Sequence, residues 1–185
     1  MPSVCFYLHT HQPFRIKKFS IFDIGKNKPW FDDQKNKKYL ERIIRKSYLP
    51  TNQILLDLIE KTKGKFKVSF SISGVLLEQL EHYPEVIKSF QDLIKTGCVE
   101  LLSETYHHSL AYLYSKKEFK EQVKEHKKII KRLFNYTPKV FRNTELMFNN
   151  EMAGFVEKMG YKAILAEGWD PILEWRSPNF VYQPK

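Results

Sequence analysis

Short apolar segments alternate with longer amphipathic segments along the chain. The apolar segments are residues 4–8, 66–72, 98–102, 139–141 and 162–165. Their length and their content of β-branched and aromatic residues predict five strands. In the longer segments, apolar residues recur at helical spacing, which predicts helices over residues 37–47, 51–63, 75–80, 84–95, 116–134 and 150–159. Residues 14–36 fit neither pattern and predict a long loop.

A predicted helix separates each predicted strand from the next. This order favours parallel strands, because a parallel pair needs a long crossover connection. It predicts an α/β fold of about five βα units, and both an open doubly wound sheet and a β/α barrel satisfy it. In either fold, functional groups gather in the loops at the carboxyl ends of the strands.

Composition and charge exclude several classes of protein. The chain has 185 residues, 42% hydrophobic and 28% charged, which predicts one soluble globular domain over residues 1–185. The net charge of +10 comes mostly from lysines that share helices with glutamates, so we expect solvated helix faces and no nucleic-acid partner. Enrichment in lysine and glutamate is also common in proteins from hot environments.

Two further features predict a cytoplasmic location. No apolar run approaches the roughly 18 residues of a membrane helix, and the N-terminus lacks the pattern of a secretory signal, so we expect no membrane partner. The two cysteines, Cys5 and Cys98, have no framework spacing. They predict buried thiols in a reducing compartment.

Polar side chains follow four of the five predicted strands. In chain order they are His9, His11 and Gln12; Glu104, His107 and His108; Arg142, Asn143 and Glu145; and Glu167, Trp169 and Asp170. A single histidine in such a loop is most often structural. Four successive loops with histidine or carboxylate side chains instead predict one shared site, since these loops converge in a barrel.

One chemistry that fits these residues is metal-dependent hydrolysis. His9 and His11 are spaced as in barrel enzymes that bind a divalent metal at the end of a strand. Either His107 or His108, with a carboxylate, would complete the metal shell.

The other chemistry is cleavage of a sugar, and a non-catalytic carbohydrate-binding remnant is a third possibility. A retaining glycosidase needs a carboxylate nucleophile, here Glu145, and a second carboxyl about 5 Å away as general acid. Gln12 suits a sugar hydroxyl better than a metal, and Trp169 offers a stacking face. These residue types favour sugar cleavage without excluding metal-dependent hydrolysis.

Three motifs occur in order along the chain. HTHQPFR follows the first strand, GCVELLSETYHHSL spans the third, and FRNTELMFNN follows the fourth. They resemble the His-Gln-Pro motif, the Gly-x-x-Glu strand leading to a histidine, and the nucleophile motif of glycoside hydrolase family 57, the α-amylase and 4-α-glucanotransferase family. The tail EGWDPILEWRSPNFVY is similar to the α-amylase branch, so the resemblance covers residues 4–182.

The resemblance implies an incomplete (β/α)7-type barrel that acts on α-glucans or maltooligosaccharides without a metal or other cofactor. It implies a retaining double displacement, ending in hydrolysis or transfer, with Glu145 as the catalytic nucleophile. The residues that it implies for binding and orienting the sugar, with Trp169 as a weaker stacking candidate, are His11, Gln12, Glu100, His108 and Trp169.

The family's fourth motif, which carries the general acid, has no match here. Asp170 and Glu174 are carboxylates in the tail, but they do not fit that motif. The remaining strands and the helical domain of the family are also missing. We therefore expect the N-terminal part of a catalytic barrel, which is inactive alone or is completed by another, C-terminal chain.

Overall fold

A computed structural model describes residues 4–26 and 29–184, and its strands and helices alternate. The strands are β1 Phe6–Thr10, β2 Val68–Ile72, β3 Val99–Leu101, β4 Val140–Arg142 and β5 Ala163–Leu165. The helices are α1 Asp33–Ile43, α2 Leu49–Lys61, α3 Gly74–Leu80, α4 Pro84–Lys95, α5 Lys116–Phe134, α6 Asn150–Lys158 and α7 Asp170–Leu173. The predicted α/β order is confirmed.

The strands are parallel and follow one another in chain order. β1, β2 and β3 form one sheet, and β4 pairs with β5. Ser103 connects the two, because its N–H donates to Val140 at 2.9 Å and its carbonyl accepts from Arg142 at 2.8 Å. A doubly wound sheet would reverse its strand order at a switch point, whereas an order that follows the chain is that of a barrel. The described strands therefore form an open arc of a β/α barrel.

Helices cover the outer face of this arc over two apolar cores. The larger core packs β1–β3 against α2, α3, α4 and part of α5, with Phe70 edge-on to Phe90 at 5.7 Å. The smaller core surrounds Phe119 and Phe141, whose ring centroids are 5.6 Å apart. Because alternate strand residues point to opposite faces, the other half of each strand faces the barrel interior.

Helix boundaries agree best where capping is strong. α5 spans the predicted residues, and the Ser115 side chain accepts from the Glu118 N–H at its start. α1 begins four residues earlier than predicted, because Asp32 caps it by accepting from Lys35 at 3.0 Å. The predicted break before Pro50 is wrong, since a π-helical turn at 44–48 leads directly into α2. Proline is tolerated there, in the first turn of a helix.

Three other expectations change in detail. Cys98 is buried, but Cys5 is exposed, so the prediction of a buried thiol is wrong for Cys5. β1 ends at Thr10, so His9 lies in the strand, opposite Ser71, instead of in the following loop. The predicted long loop is partly ordered, because Ile16 and Phe31 form an antiparallel bridge and α1 begins within it. Among the described residues, no helix is long and apolar enough to span a membrane.

Candidate active site

Serines at the end of β2 hold two of the predicted histidines. Ser71 Oγ lies 2.7 Å from His9 Nδ1 and 2.5 Å from the Tyr7 hydroxyl. Ser73 Oγ lies 2.7 Å from His11 Nδ1. Both serines are fully buried. These bonds fix the orientation of both imidazole rings and occupy one nitrogen of each.

The three histidines predicted from two different loops form one stack of rings. The His108 ring centroid lies 4.3 Å from that of His11 and 4.9 Å from that of His9. His108 reaches this position with a left-handed backbone, at φ +53°. A non-glycine residue in that conformation is strained, so the surrounding structure must hold it there. His107, its neighbour in sequence, is exposed.

Glu104 is the buried carboxylate of this cluster. Its side chain is fully buried, with one oxygen 3.2 Å from His108 Nδ1 and the other 3.8 Å from His9 Nδ1. Burial by itself would raise the pKa of Glu104, but the hydrogen bond from His108 acts against burial, and this pKa lies below its usual range. Glu104 is therefore ionised and orients His108.

His9 and His11 are uncharged at neutral pH. Burial lowers the pKa of each imidazole to about 4. The nearby Glu104 carboxylate raises both values, but too little to offset burial. Both rings therefore act as neutral hydrogen-bonding or metal-binding groups.

Glu145 follows β4 and reaches the same cluster. Its side chain is 75% exposed, and one carboxylate oxygen lies 3.3 Å from His108 Nε2. The backbone is left-handed at Glu145 and at Leu146, with φ values of +54° and +56°. Buried Thr144 anchors the turn through a 3.1 Å bond to Thr105. The result is a carboxylate at the open side of the histidine stack, linked through His108 to buried Glu104.

Gln12 directly follows His11, and Trp169 lies in the loop after β5. The Gln12 side-chain oxygen accepts from Arg15 at 2.8 Å, and its backbone carbonyl accepts from Gln79 at 2.8 Å. Trp169 is 57% exposed at the start of α7. Its loop contacts the Glu145 turn, where the Glu167 N–H donates to Leu146 at 3.4 Å.

Glu100 is not brought to the cluster. It lies within β3, opposite Ser69 of β2, and four residues before Glu104. Glu104 lies three residues beyond the end of β3, and four residues of extended chain span roughly 13 Å. Within the described chain, no hydrogen bond or ion pair joins Glu100 to the three histidines, and its electrostatic neighbour is Tyr136. The carboxylate beside His9 and His108 is therefore that of Glu104.

Two further residues adjoin the cluster: His126, which the sequence analysis did not single out, and Arg142, which it listed among the polar side chains after the fourth strand. His126 of α5 is fully buried, donates from Nε2 to the Ile72 carbonyl at 2.8 Å and accepts from the Glu104 N–H at 3.4 Å. It therefore ties the ends of β2 and β3 together. Arg142 is 6% exposed, and its Nε and Nη1 have no hydrogen-bond partner among the described residues. The nearby His9 and Glu104, with His108, could hold a metal ion.

Comparison with known proteins places this arrangement among carbohydrate-active enzymes. A protein of Methanocaldococcus jannaschii named "Putative alpha-amylase" is 43% identical, over 97% of this chain and 39% of its own length. The 4-α-glucanotransferase of Thermococcus litoralis superposes with a TM-score of 0.71 at 22% identity, over 94% of this chain and 23% of that enzyme. A family 57-type branching enzyme of Pyrococcus horikoshii superposes with a TM-score of 0.62 at 16% identity, over 86% of this chain and 41% of that enzyme.

These likenesses agree with the strand order, since the two solved enzymes share the barrel fold. The chain spans less than half of the length of each of these three relatives. The model of glycosyl hydrolase family 57 matches residues 5–185, almost the whole chain. This chain therefore belongs to glycosyl hydrolase family 57.

Proposed function

We propose that this chain is the N-terminal part of a catalytic barrel that cleaves or transfers α-glucans by retaining double displacement, with Glu145 as the nucleophile. The observation that carries the proposal is the Glu145 carboxylate, 75% exposed and 3.3 Å from His108 at the end of the strands. A retaining glycosidase needs a carboxylate that can reach the anomeric carbon. The names of the relatives, which refer to an α-amylase, a 4-α-glucanotransferase and a branching enzyme, support an α-glucan substrate.

The neighbouring side chains have distinct parts in this proposal. His11 binds a sugar hydroxyl through its neutral imidazole, His108 binds another through its ring, and Trp169 stacks on a sugar ring. Gln12, whose side-chain oxygen accepts a hydrogen bond from Arg15, is a further candidate for contact with the sugar. Glu104 orients His108 by accepting from its Nδ1, so that Nε2 of the same ring faces Glu145. A role for Glu100 in orienting the site stays a prediction.

The general acid comes from outside residues 1–185 in this proposal. Glu104 is unsuited to the task, because its side chain is fully buried and is bonded to His108. A general acid must reach the glycosidic oxygen within hydrogen-bond distance. The aspartate of the family's fourth motif would be supplied by the continuation of a longer chain or by a complementing chain. The cytoplasmic location and an origin in a hot environment also stay predictions.

Labelling with an activated sugar tests the nucleophile directly. The Glu145 carboxylate should attack the anomeric carbon of a glycosyl fluoride and displace fluoride, which leaves without acid assistance. The 185-residue chain should therefore gain the mass of one glycosyl group on Glu145. E145Q should gain none, whereas E157Q, which changes an exposed carboxylate on α6, should be labelled like the unchanged chain. In the complete enzyme, E145Q should lower kcat at least about a thousandfold, which corresponds to roughly 4 kcal/mol of barrier. Labelling of E145Q would place the nucleophile elsewhere.

Starch distinguishes a partial catalytic barrel from a complete minimal enzyme. Starch has a poor leaving group, so the 185-residue chain should stay near background in a reducing-sugar assay while its labelling proceeds. Robust starch cleavage that D170N abolishes would contradict this prediction and make Asp170 the acid. Glucan binding without any labelling would instead support a non-catalytic remnant.

A further inference from the structure

A possible set of metal ligands lies within the candidate site. His9, Glu104 and His108 each offer one ligand atom, and these three atoms lie within 4.8 Å of one another. Two imidazoles and one carboxylate, with a fourth position open, are a common protein ligand set for zinc. His11 is not part of this set.

Two buried atoms in this set lack partners. Within the described part of the chain, neither His9 Nε2 nor Glu104 Oε1 has a hydrogen-bond partner. Glu104 is fully buried, and because one oxygen of its carboxylate has no hydrogen-bond partner among the described residues, that oxygen is free to bind a cation. A cation would satisfy a carboxylate oxygen and an imidazole lone pair together.

The groups behind these ligands are arranged as supports. Ser71 holds the other nitrogen of His9 at 2.7 Å and is itself bonded to Tyr7. His126 holds the backbone N–H of Glu104 at 3.4 Å. Metal-binding residues are typically oriented by such outer hydrogen bonds, which fix the ring and the carboxylate before the ion arrives.

We propose that His9, Glu104 and His108 form a binding site for a single divalent transition-metal ion of the zinc class. The mixed nitrogen and oxygen donors favour Zn²⁺ or Co²⁺ over Mg²⁺ and Ca²⁺, which prefer oxygen donors throughout. Arg142, which lies near His9, repels a cation, but Glu104 and Glu145 supply two opposing carboxylates. Family resemblance implies no metal, so this site goes beyond the proposed function.

Metal titration of the purified 185-residue chain tests the site. After treatment with a chelator and dialysis, the chain should bind one equivalent of Zn²⁺ by calorimetry, and Co²⁺ should give visible bands of a low-symmetry site. E104Q and H108Q should each weaken Zn²⁺ binding about tenfold or more, whereas H82Q, at an exposed histidine, should retain it. Circular dichroism without metal shows whether each variant is folded. If E104Q does not fold, H108Q decides the test, because this residue lies in a loop.

Thermal unfolding gives a second measurement of binding. Zn²⁺ at a hundredfold excess over Kd should raise the unfolding midpoint by about 5–10 °C in the unchanged chain and not in H108Q. Binding of less than one tenth of an equivalent, or equal binding by E104Q, H108Q and H82Q, would overturn the proposal.

Activity gives a separate readout that rests on the proposed function. Zn²⁺ on His108 would lie near Glu145, so labelling by the glycosyl fluoride should slow and should recover with chelator. If no labelling occurs even without metal, the proposed function fails while the binding measurements still decide the metal site.

Discussion

Replacing Gly74 by alanine should push Tyr106 and the loop that carries His108 out of position. Gly74 begins α3, and a Cβ atom built on it would lie 2.3 Å from Cδ2 of the Tyr106 ring. Ordinary contacts of this kind are 3.4–4 Å long, so the ring must move by about 1 Å or more. The backbone limits that movement, because the Tyr106 carbonyl accepts from Val75 at 3.1 Å.

The size of the effect follows from two opposing terms. Forcing an extra methyl group into a packed contact costs about 1–3 kcal/mol. Alanine in a helix recovers at most about 0.5–1 kcal/mol relative to glycine. We therefore expect G74A to lower the free energy of unfolding by about 0.5–2 kcal/mol, which is a loss of roughly 2–6 °C in the unfolding midpoint. Urea unfolding followed by circular dichroism measures the change in free energy, and thermal unfolding measures the change in midpoint.

A matched glycine and a double-mutant cycle make the test specific. Gly154 lies within α6, and a Cβ built there meets nothing within 4 Å, so G154A should stabilise the chain by about 0.5–1 kcal/mol. In a Y106A background the clash is gone, so G74A should become neutral or stabilising. A stabilising G74A in the otherwise unchanged chain, or the same loss in the Y106A background, would refute the reasoning.

Two further predictions concern helix capping and the smaller core. N149A removes the side-chain acceptor for the Met152 N–H at 2.7 Å, so urea unfolding should show a loss of about 1 kcal/mol; no change would mean that this cap contributes nothing. F119A empties a fully buried ring site beside Phe141 and should cost about 3–5 kcal/mol in the same assay, while a loss below about 1 kcal/mol would indicate that the core collapses around the gap.

Local sequence signals predicted the fold well where they were strong. The capped, amphipathic α5 was predicted at its observed ends, and the order of strands and helices predicted a parallel α/β arrangement. The break at Pro50 failed for a local reason, because a π-helical turn lets the chain continue through a residue that usually interrupts a helix. Propensity alone does not foresee such a turn.

The sequence identified the loops that carry the candidate site better than it identified the individual residues. His9, His11, His108 and Glu145 were singled out from their places after strands, and the structure brings all four together. Choosing between Glu100, which lies in β3, and Glu104, which lies three residues beyond its end, needs the distance of each from the histidines, and a motif spacing does not give that distance.

Other supporting residues differ in how visible they were. Ser71 and Ser73 alternate with the apolar Phe70 and Ile72, so a polar inner face of β2 could have been read from the sequence. His126 looked like one more polar residue on a long helix. Its link between the ends of β2 and β3 depends on the tertiary packing of α5, which the sequence pattern does not specify.

The left-handed backbone at Glu145 has a consequence for laboratory evolution. This residue carries an exposed side chain in a conformation that glycine adopts freely, so glycine there would relieve a local cost of about 1 kcal/mol or more. A library of this chain selected only for heat resistance or expression should therefore accumulate glycine at this codon. Each such gain would remove the carboxylate from the cluster, so under the proposed role of Glu145 selection for robustness and selection for turnover would favour different residues at this position.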